Sequence, residues 1–328
     1  MKAIVNRCYG GPEILALEEI AKPTVEDDRL LVKVHAASVN PLDWHYMRGK
    51  PYVMRLGTGI GAPDNVQLGV DFAGTVEAVG SNVTQFKPGD EVFGGRRGAF
   101  AEYVSVAQDG AVTLKPSNIT FEQAAAVPIA AITALQALRD VGKVQPGQKV
   151  LINGASGGVG TFAVQIAKVL GAEVTGVCST RNVEMVRSLG ADHVVDYTKE
   201  DFTDGSQQYD LIVDNVSSQS LSDCRRVLKP EGTMVIVGGL NKDPFIGALW
   251  GPIKAKLAAP FVSQKLAFMM ADLSQADLGY LRDMMGSGKL TPVIDRTYSL
   301  SETPAAIGYL EEGHARGKVI ISLMEASR

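Results

Sequence analysis

Between residues 148 and 171, in QKVLINGASGGVGTFAVQIAKVLG, glycines recur at three-residue intervals as Gly154, Gly157 and Gly160. Glycine leaves the backbone bare, so an anion can approach the amides directly, and the amides opening a helix near Gly158 and Val159 have no partner of their own. The spacing is G-x-x-G-x-x-G, because Ser156 stands where the usual dinucleotide fingerprint has its second glycine. The chemistry implied is the binding of a pyrophosphate. A second group follows about twenty residues on, where that fingerprint places an acidic residue for the ribose hydroxyls of NAD. This chain has Cys178 there, followed by Ser179-Thr180-Arg181-Asn182. A hydroxyl and a forked, always-charged guanidinium suit a 2′-phosphate, so Ser179 and Arg181 point to NADPH as the cofactor. A third group is the run Asn40-Pro41-Leu42-Asp43-Trp44-His45-Tyr46. In it Asn40 is the candidate for orienting a carbonyl or a nicotinamide ribose, with Asp43 holding nearby backbone or His45. His45 and Tyr46 are the titratable side chains of the run suited to proton donation.

These groups need elements to hold them. Residues 149–153 form a short apolar run that reads as a buried strand. Residues 161–170 carry apolar positions at helical spacing, and EVTGVC at 173–178 reads as a second strand, which completes a strand-helix-strand unit. From Val150 onward strands and helices keep alternating, through HVVDY, DLIVDN and TMVIVGG, so a mostly parallel sheet with helices on both faces is expected. Upstream, KAIVNRC, LLVKVHAASV, DFAGTVEAVG, DEVFG and FAEYVSV are short strands separated by turn chemistry, a compact β domain. Pro41 stops the strand before it and starts a short helix over 40–49, while the glycine-rich residues 50–67 read as a pocket-covering loop or a surface excursion. Residues 121–138, alanine-rich and helical in period with a break at Pro128, bridge the two halves. Residues 242–260 are ambiguous. The strand-like and helical pieces after residue 291 have no partner unit of their own and are expected to rejoin the first domain.

The composition limits the function classes. The chain has 328 residues, 45% of them hydrophobic and 21% charged, with a net charge of -4. That is enough chain for two cores. Without a basic excess it has no footprint for nucleic acid, and it carries no uninterrupted apolar run of membrane-spanning length. The first residues break at Gly10-Gly11-Pro12 before a signal-length apolar run forms, so a cytoplasmic address is the default expectation. Cys8, Cys178 and Cys224 are spaced for neither a disulfide framework nor a metal knuckle.

Four stretches together carry a family resemblance: GASGGVG at 154–160, AAVPIAAITALQAL at 125–138, SLGADHVVDY at 188–197 and GTMVIVGG at 232–239. They resemble the medium-chain dehydrogenase/reductase superfamily, and SVNPLDW at 38–44 resembles its quinone oxidoreductase branch, with the enone and oxoene reductases. The resemblance implies an α/β protein. A GroES-like, β-rich catalytic domain would span residues 1–121, completed by 291–328, and a Rossmann, doubly wound parallel-sheet domain would span 122–290, with a substrate cleft between the two. By matching positions it implies Tyr197 by the adenine, Asn215 and Val216 along the ribose and nicotinamide, Val237, Gly238 and Gly239 under the nicotinamide, and Thr133 near its ring or the diphosphate. In the zinc alcohol dehydrogenases of the superfamily a cysteine stands where this chain has Asn40 and a histidine where it has Val70. An amide is a poor zinc donor and valine is none, so no catalytic metal is expected.

The reading is therefore an NADPH-dependent, zinc-independent oxidoreductase. Without a Lewis acid, hydride transfer to an electron-poor quinone or conjugated C=C remains feasible, because the acceptor spreads the incoming charge. Two rivals stay open: a non-catalytic NADPH-binding sensor or scaffold, and a zinc-free carbonyl reductase acting on C=O itself. The expected partner is a small quinone or enone, with a homodimer left open.

Overall fold

The structure, a computed structural model, describes residues 1–205, 207–238 and 262–324. The chain divides into two compact units, Met1–Ile132 with Leu273–Arg328, and Thr133–Asp272. The divisions differ from those expected at 121 and 291. The helix Phe121–Ala125 packs on strands of the first unit, and so does the helix Gln275–Gly286. Gln275 fixes the second helix there by donating its side-chain amide to the carbonyls of Gln108 and Val112.

In the first unit β1 (Lys2–Val5) pairs antiparallel with β2 (Ala16–Glu19). A seven-stranded sheet then runs through β3 (Arg29–Val39), β4 (Asp71–Val79), β5 (Glu91–Gly95), β6 (Tyr103–Ala107) and β7 (Val112–Leu114). The tail supplies its other two strands. Strand β14 (Ile294–Ser299) lies parallel to β15 (Lys318–Ser322), and β15 lies antiparallel to β3. The alternation in β3 and its neighbours buries Val32, Val34, Phe72, Val92, Val104 and Phe100 in one core, which is why these short β-branched and aromatic runs hold together. The register has a direct consequence for the site. Val319 faces Val39, so Lys318 comes opposite Asn40, and Ser38 faces Asp71 across β4.

Pro41 ends β3 and opens the helix α1 (Pro41–Arg48), closed by Gly49 in the left-handed region at φ 57°. After it, residues 50–67 are clasped onto the unit: α2 (Arg55–Thr58) is tied down by Tyr9, whose hydroxyl donates to Gly59 O at 2.6 Å. The guanidinium of Arg55 also sits over the rings of Tyr9 and Tyr52 at 4.2 and 4.7 Å.

Helix α3 (Phe121–Ala125) belongs to the first unit, and α4 (Pro128–Gln136), with the break at Pro128 as read from sequence, spans the division between Ile132 and Thr133. Among the described residues of the second unit six parallel strands follow: β8 (Lys149–Asn153), β9 (Glu173–Cys178), β10 (His193–Asp196), β11 (Tyr209–Asp214), β12 (Leu228–Ile236) and β13 (Lys265–Phe268). Their order is β10-β9-β8-β11-β12-β13, the 3-2-1-4-5-6 arrangement of a Rossmann sheet. The order reverses between β8 and β11, so the connections lead away in both directions from that point. The ambiguous residues 242–260 lie outside the described residues.

Candidate functional site

The reversal of strand order opens a crevice at the carboxyl ends of β8 and β11, and the glycine turn lies there. Gly154 leaves β8 at φ 78°, a conformation that costs a side chain dearly. A Cβ on Gly160 would sit 2.1 Å from Gly154 O, so this glycine serves close packing of helix on strand. Gly157 is different: a Cβ there would meet only Gly154 O, at 3.5 Å. Nothing among the described residues requires a glycine at this point, whereas a ligand coming to the backbone would. Gly157 is the N-cap of α5 (Gly158–Val169) and has no side chain to cap it, so the opening amides at Gly158 and Val159 remain for an anion. The turn thus fits a dinucleotide pyrophosphate.

At the end of β9, Cys178 is buried and its thiol is pushed up to about 11 by burial, then by Asp196, which makes it inert. Ser179 follows, half-buried, then Thr180 and the exposed Arg181. Asn182 was not singled out from sequence, yet it is 4% exposed and donates its amide to both Ser156 Oγ and Ser179 Oγ at 3.1 Å. Asp196 was missed too. It accepts from Thr180 Oγ1 at 2.6 Å and Thr198 Oγ1 at 2.7 Å, and the Thr180 hydroxyl holds its carboxyl well below the usual range. The acid therefore reaches the corner of Ser179 and Arg181 from the next strand, where counting positions past the glycines does not find it.

At the end of β11, buried Asp214 accepts from Asn153 Nδ2 at 2.9 Å and from the Ser217 amide at 2.8 Å. This knot folds the loop of Asn215 and Val216 back over the glycine turn. Asn215 donates to Asn153 O at 2.9 Å, and Val216 Cγ2 fills the space a Cβ on Gly154 would need. Ser217 in turn donates to Gly238 O at 2.8 Å, while the Val237 amide donates to Asp214 O. Tyr197, 57% exposed, lines a cavity of about 290 Å³ with Val177, Thr198, Phe202, Ser218 and Gln219. Thr133 is buried in α4, and Gly239 lies outside the described residues. So Gly154, Ser156, Gly157, Gly158, Val159, Ser179, Asn215, Val216, Val237 and Gly238 are all placed at the carboxyl ends of β8, β9, β11 and β12.

In the first unit, the strand register assembles a buried polar cluster. Lys318 Nζ, opposite Asn40, donates to Asn40 Oδ1 at 2.5 Å and lies 3.5 Å from Asp71 Oδ2. That fixes the Asn40 carboxamide, whose Nδ2 donates to Asp71 Oδ2 at 2.9 Å and to Ser38 O at 3.4 Å. Ser38 Oγ donates to the same Asp71 oxygen at 2.9 Å, and Asp71 Oδ1 accepts the Ile129 amide at 3.0 Å. Burial lowers the Lys318 pKa, and Asp71 and Asp43 push it back up. Asp43 is fully buried on α1 and accepts the Asn40 backbone N–H at 2.7 Å; burial raises its carboxyl to about 7, against that hydrogen bond.

This arrangement corrects the expected duty of Asn40. Both of its N–H hydrogens are taken and its oxygen accepts from Lys318, with the residue only 2% exposed, so it holds the cluster together rather than orienting a substrate carbonyl or a ribose. Asp43 does hold backbone, but not His45. The His45 ring stacks on Trp44 at 3.7 Å, Nδ1–H donates to Lys50 O at 2.7 Å, and burial lowers its pKa. The Nδ1–H of His45 is thus engaged by a backbone carbonyl of its own loop. Tyr46 packs its ring against the core under the Arg97 guanidinium, at 4.4 Å. Lys318 and Asp71 were missed from sequence.

The donors here do not fit a catalytic zinc. At the two positions where the zinc enzymes carry cysteine and histidine stand an amide already engaged on both sides and a valine, and the Lys318 ammonium lies against that amide. A second cation beside it would be repelled.

Comparison with known proteins agrees with this layout. Residues 26–116 match the family model of the alcohol dehydrogenase GroES-like domain, and residues 189–321 match that of zinc-binding dehydrogenases. The chain is 36% identical to mouse NAD(P)H oxidoreductase RTN4IP1, mitochondrial, over 99% of its own length and 89% of that protein's. It is 34% identical to the NADPH-dependent alkenal/one oxidoreductase, chloroplastic, of Arabidopsis thaliana, covering 98% of this chain and 79% of that one. The mitochondrial and chloroplastic addresses in the names of these two proteins differ from the cytoplasmic one expected from sequence. Among solved structures the quinone oxidoreductase of Coxiella burnetii superposes with a TM-score of 0.86 at 30% identity, covering 99% of each chain. Among the described residues of the present protein no helix is long and apolar enough to cross a membrane. Fold, site and end-to-end similarity together show that the chain belongs to the medium-chain dehydrogenase/reductase superfamily, in its zinc-free branch of quinone oxidoreductases and enone reductases.

Proposed function

We propose that the protein is an NADPH-dependent reductase of quinones or of the C=C bond of α,β-unsaturated carbonyls, acting without a metal. The observation that carries this reading is that one chain holds both a ligand-ready glycine turn and a polar cluster whose lysine lies against the amide at the position where the zinc enzymes carry a metal ligand. When bound, the nicotinamide supplies a hydride. An acceptor that takes the hydride at its β-carbon moves an electron pair onto its own carbonyl oxygen, and the resulting enolate is then protonated at the α-carbon. Such an acceptor needs less electrophilic help than a simple ketone, which suits a site whose donors do not hold zinc.

NADPH rather than NADH is favoured by the Ser179 hydroxyl and the Arg181 guanidinium at the end of β9. Asp196 does not oppose this, since Thr180, Thr198 and Lys199 already surround its carboxylate. The cavity beside Tyr197 has the place and size for the adenine. For the proton we favour Tyr46 over His45, because the hydroxyl of Tyr46 makes no hydrogen bond to any described residue while the ring N–H of His45 is held by Lys50 O. The decisive experiment follows NADPH oxidation with enones, quinones and saturated ketones, using cofactor deuterated at the transferred position and locating the label by NMR. Label on the β-carbon or on reduced quinone is expected. Label on a carbinol carbon would make the protein a carbonyl reductase, and no turnover with any acceptor would leave only dinucleotide binding.

A further inference from the structure

We propose that Asn182 is a positioning residue for the nucleotide phosphates, acting by aiming the hydroxyl hydrogens of Ser156 and Ser179. This rests on the dinucleotide reading of the glycine turn. Asn182 is 4% exposed and connects two chain segments that are separate in sequence: its Nδ2 donates to Ser156 Oγ in the glycine turn and to Ser179 Oγ at the end of β9, each at 3.1 Å. Its own amide donates to Ser179 O at 2.9 Å, which fixes the backbone between them.

The direction of these bonds is what matters. A serine hydroxyl has one hydrogen to donate, and an oxygen occupied as acceptor keeps that hydrogen for another partner. Here both oxygens accept from Asn182, and among the described residues neither hydroxyl donates to any group. Both serines are half-buried, one beside the uncapped opening of α5 and the other beside Arg181. The carboxamide could be reversed in principle, so that Oδ1 drew both serine hydrogens inward. The present arrangement gives both Nδ2 hydrogens a serine oxygen and leaves only the buried Oδ1 acceptor unpaired. It is this orientation that leaves the serine hydrogens free to face outward. The result is a pair of O–H donors, one for the diphosphate and one for a 2′-phosphate, set before the ligand arrives. A Gln or His at this position would not keep this geometry, since the two serine oxygens must be reached from one short side chain.

The test is a double-mutant cycle read by calorimetric titration of the full chain with NADPH. Asn182→Leu keeps the shape and removes both donated bonds; it should weaken NADPH about tenfold or more, as the serine hydrogens lose their direction. In the Ser156→Ala/Ser179→Ala background the same change should alter the dissociation constant by less than about twofold, because there is nothing left to aim. An equal loss in both backgrounds would assign Asn182 to general packing and overturn the proposal, as would an unchanged dissociation constant in Asn182→Leu. Thermal melting without ligand identifies a variant that does not fold. In that case Asn182→Asp, of the same size, is titrated instead: its oxygens draw the serine hydrogens inward, so the loss must be larger with the serines present than without them, and an equal loss again overturns the proposal. An unmutated protein that binds neither NADPH nor NADH would overturn the dinucleotide reading itself, before Asn182 is tested.

Discussion

Replacing Lys318 with methionine tests the polar cluster, because methionine keeps most of the length and apolar stem of the side chain and deletes its charge. Lys318 is 3% exposed and Asp71 is fully buried, with 3.5 Å between Nζ and Oδ2. At an effective dielectric of about 20, the Coulomb attraction across that distance is about 5 kcal/mol. Part of it is offset in the native protein by the cost of burying the ammonium, a cost the variant no longer carries. What the variant retains is a buried Asp71 that has lost its cation, near a second carboxyl at Asp43. Removing one partner of such a pair costs about 3–5 kcal/mol. For a unit of this size that corresponds to a fall in Tm of about 6–20 °C. The assay is differential scanning calorimetry of the unmutated protein and Lys318→Met across pH. A fall of less than about 2 °C at neutral pH would refute the argument, since Asp71 would then be satisfied by Ser38, Asn40 and Ile129 alone. The deficit should narrow as the pH is lowered through about 7, because the buried Asp43 carboxyl takes up a proton there and no longer adds to the negative charge that the lysine had balanced.

The other expectations are more direct. Asp43 has its carboxyl raised from 3.8 to about 7 by burial, so the folded state holds that proton more tightly than the unfolded state does. Its contribution to stability is therefore present below about pH 4 and lost as the pH rises through about 7, a difference of about 4 kcal/mol, and Asp43→Asn should flatten this part of the denaturant-unfolding profile. A Asp43→Asn profile with the same slope as the unmutated protein would show that another group titrates. NADPH should bind more tightly than NADH, and Arg181→Ala should erase much of the gap, since a charge-assisted bond to phosphate is worth about 1.5–3 kcal/mol; equal dissociation constants in the unmutated protein would sink the preference. Tyr46→Phe should lower turnover about a hundredfold or more with NADPH affinity unchanged, while His45→Ala should change turnover less than about threefold; the opposite pattern would return the proton to His45. Exhaustive chelation should leave activity intact, and activity restored by added zinc would contradict the donor argument.

What was legible in the sequence was what is local. The strand-turn-helix of residues 149–169 follows from an apolar run, three glycines and a helical period, all within a span that periodicity can read. Two strands escaped. β2 is ALEE, largely exposed with no alternation to betray it, and β7 is only three residues long. The unit boundaries shifted because helix Gln275–Gly286, although it follows the Rossmann strands in sequence, buries Leu278, Leu281 and Met285 on the first unit's side of the division. No amphipathic pattern states which surface an apolar stripe will choose.

The site residues that were missed share one property: each acts on a residue far away in the chain. Lys318 reaches Asn40 across 278 positions, Asn153 reaches Asp214 across 61, and Asn182 reaches Ser156 across 26. Such pairs are fixed by strand register and by where loops land, and a shift of β15 by one residue would point Lys318 away from Asn40. The same reasoning explains why the role expected of Asn40 changed. Read alone, an amide beside a proline at the end of a strand looks like a group available to substrate. Once the register brings an ammonium to its oxygen and a carboxylate to its nitrogen, its hydrogen-bonding capacity is used up within the protein. A buried ammonium then lies against the amide and the Asp71 carboxylate at the place where a metal would need free donors, and a second cation beside it would be repelled.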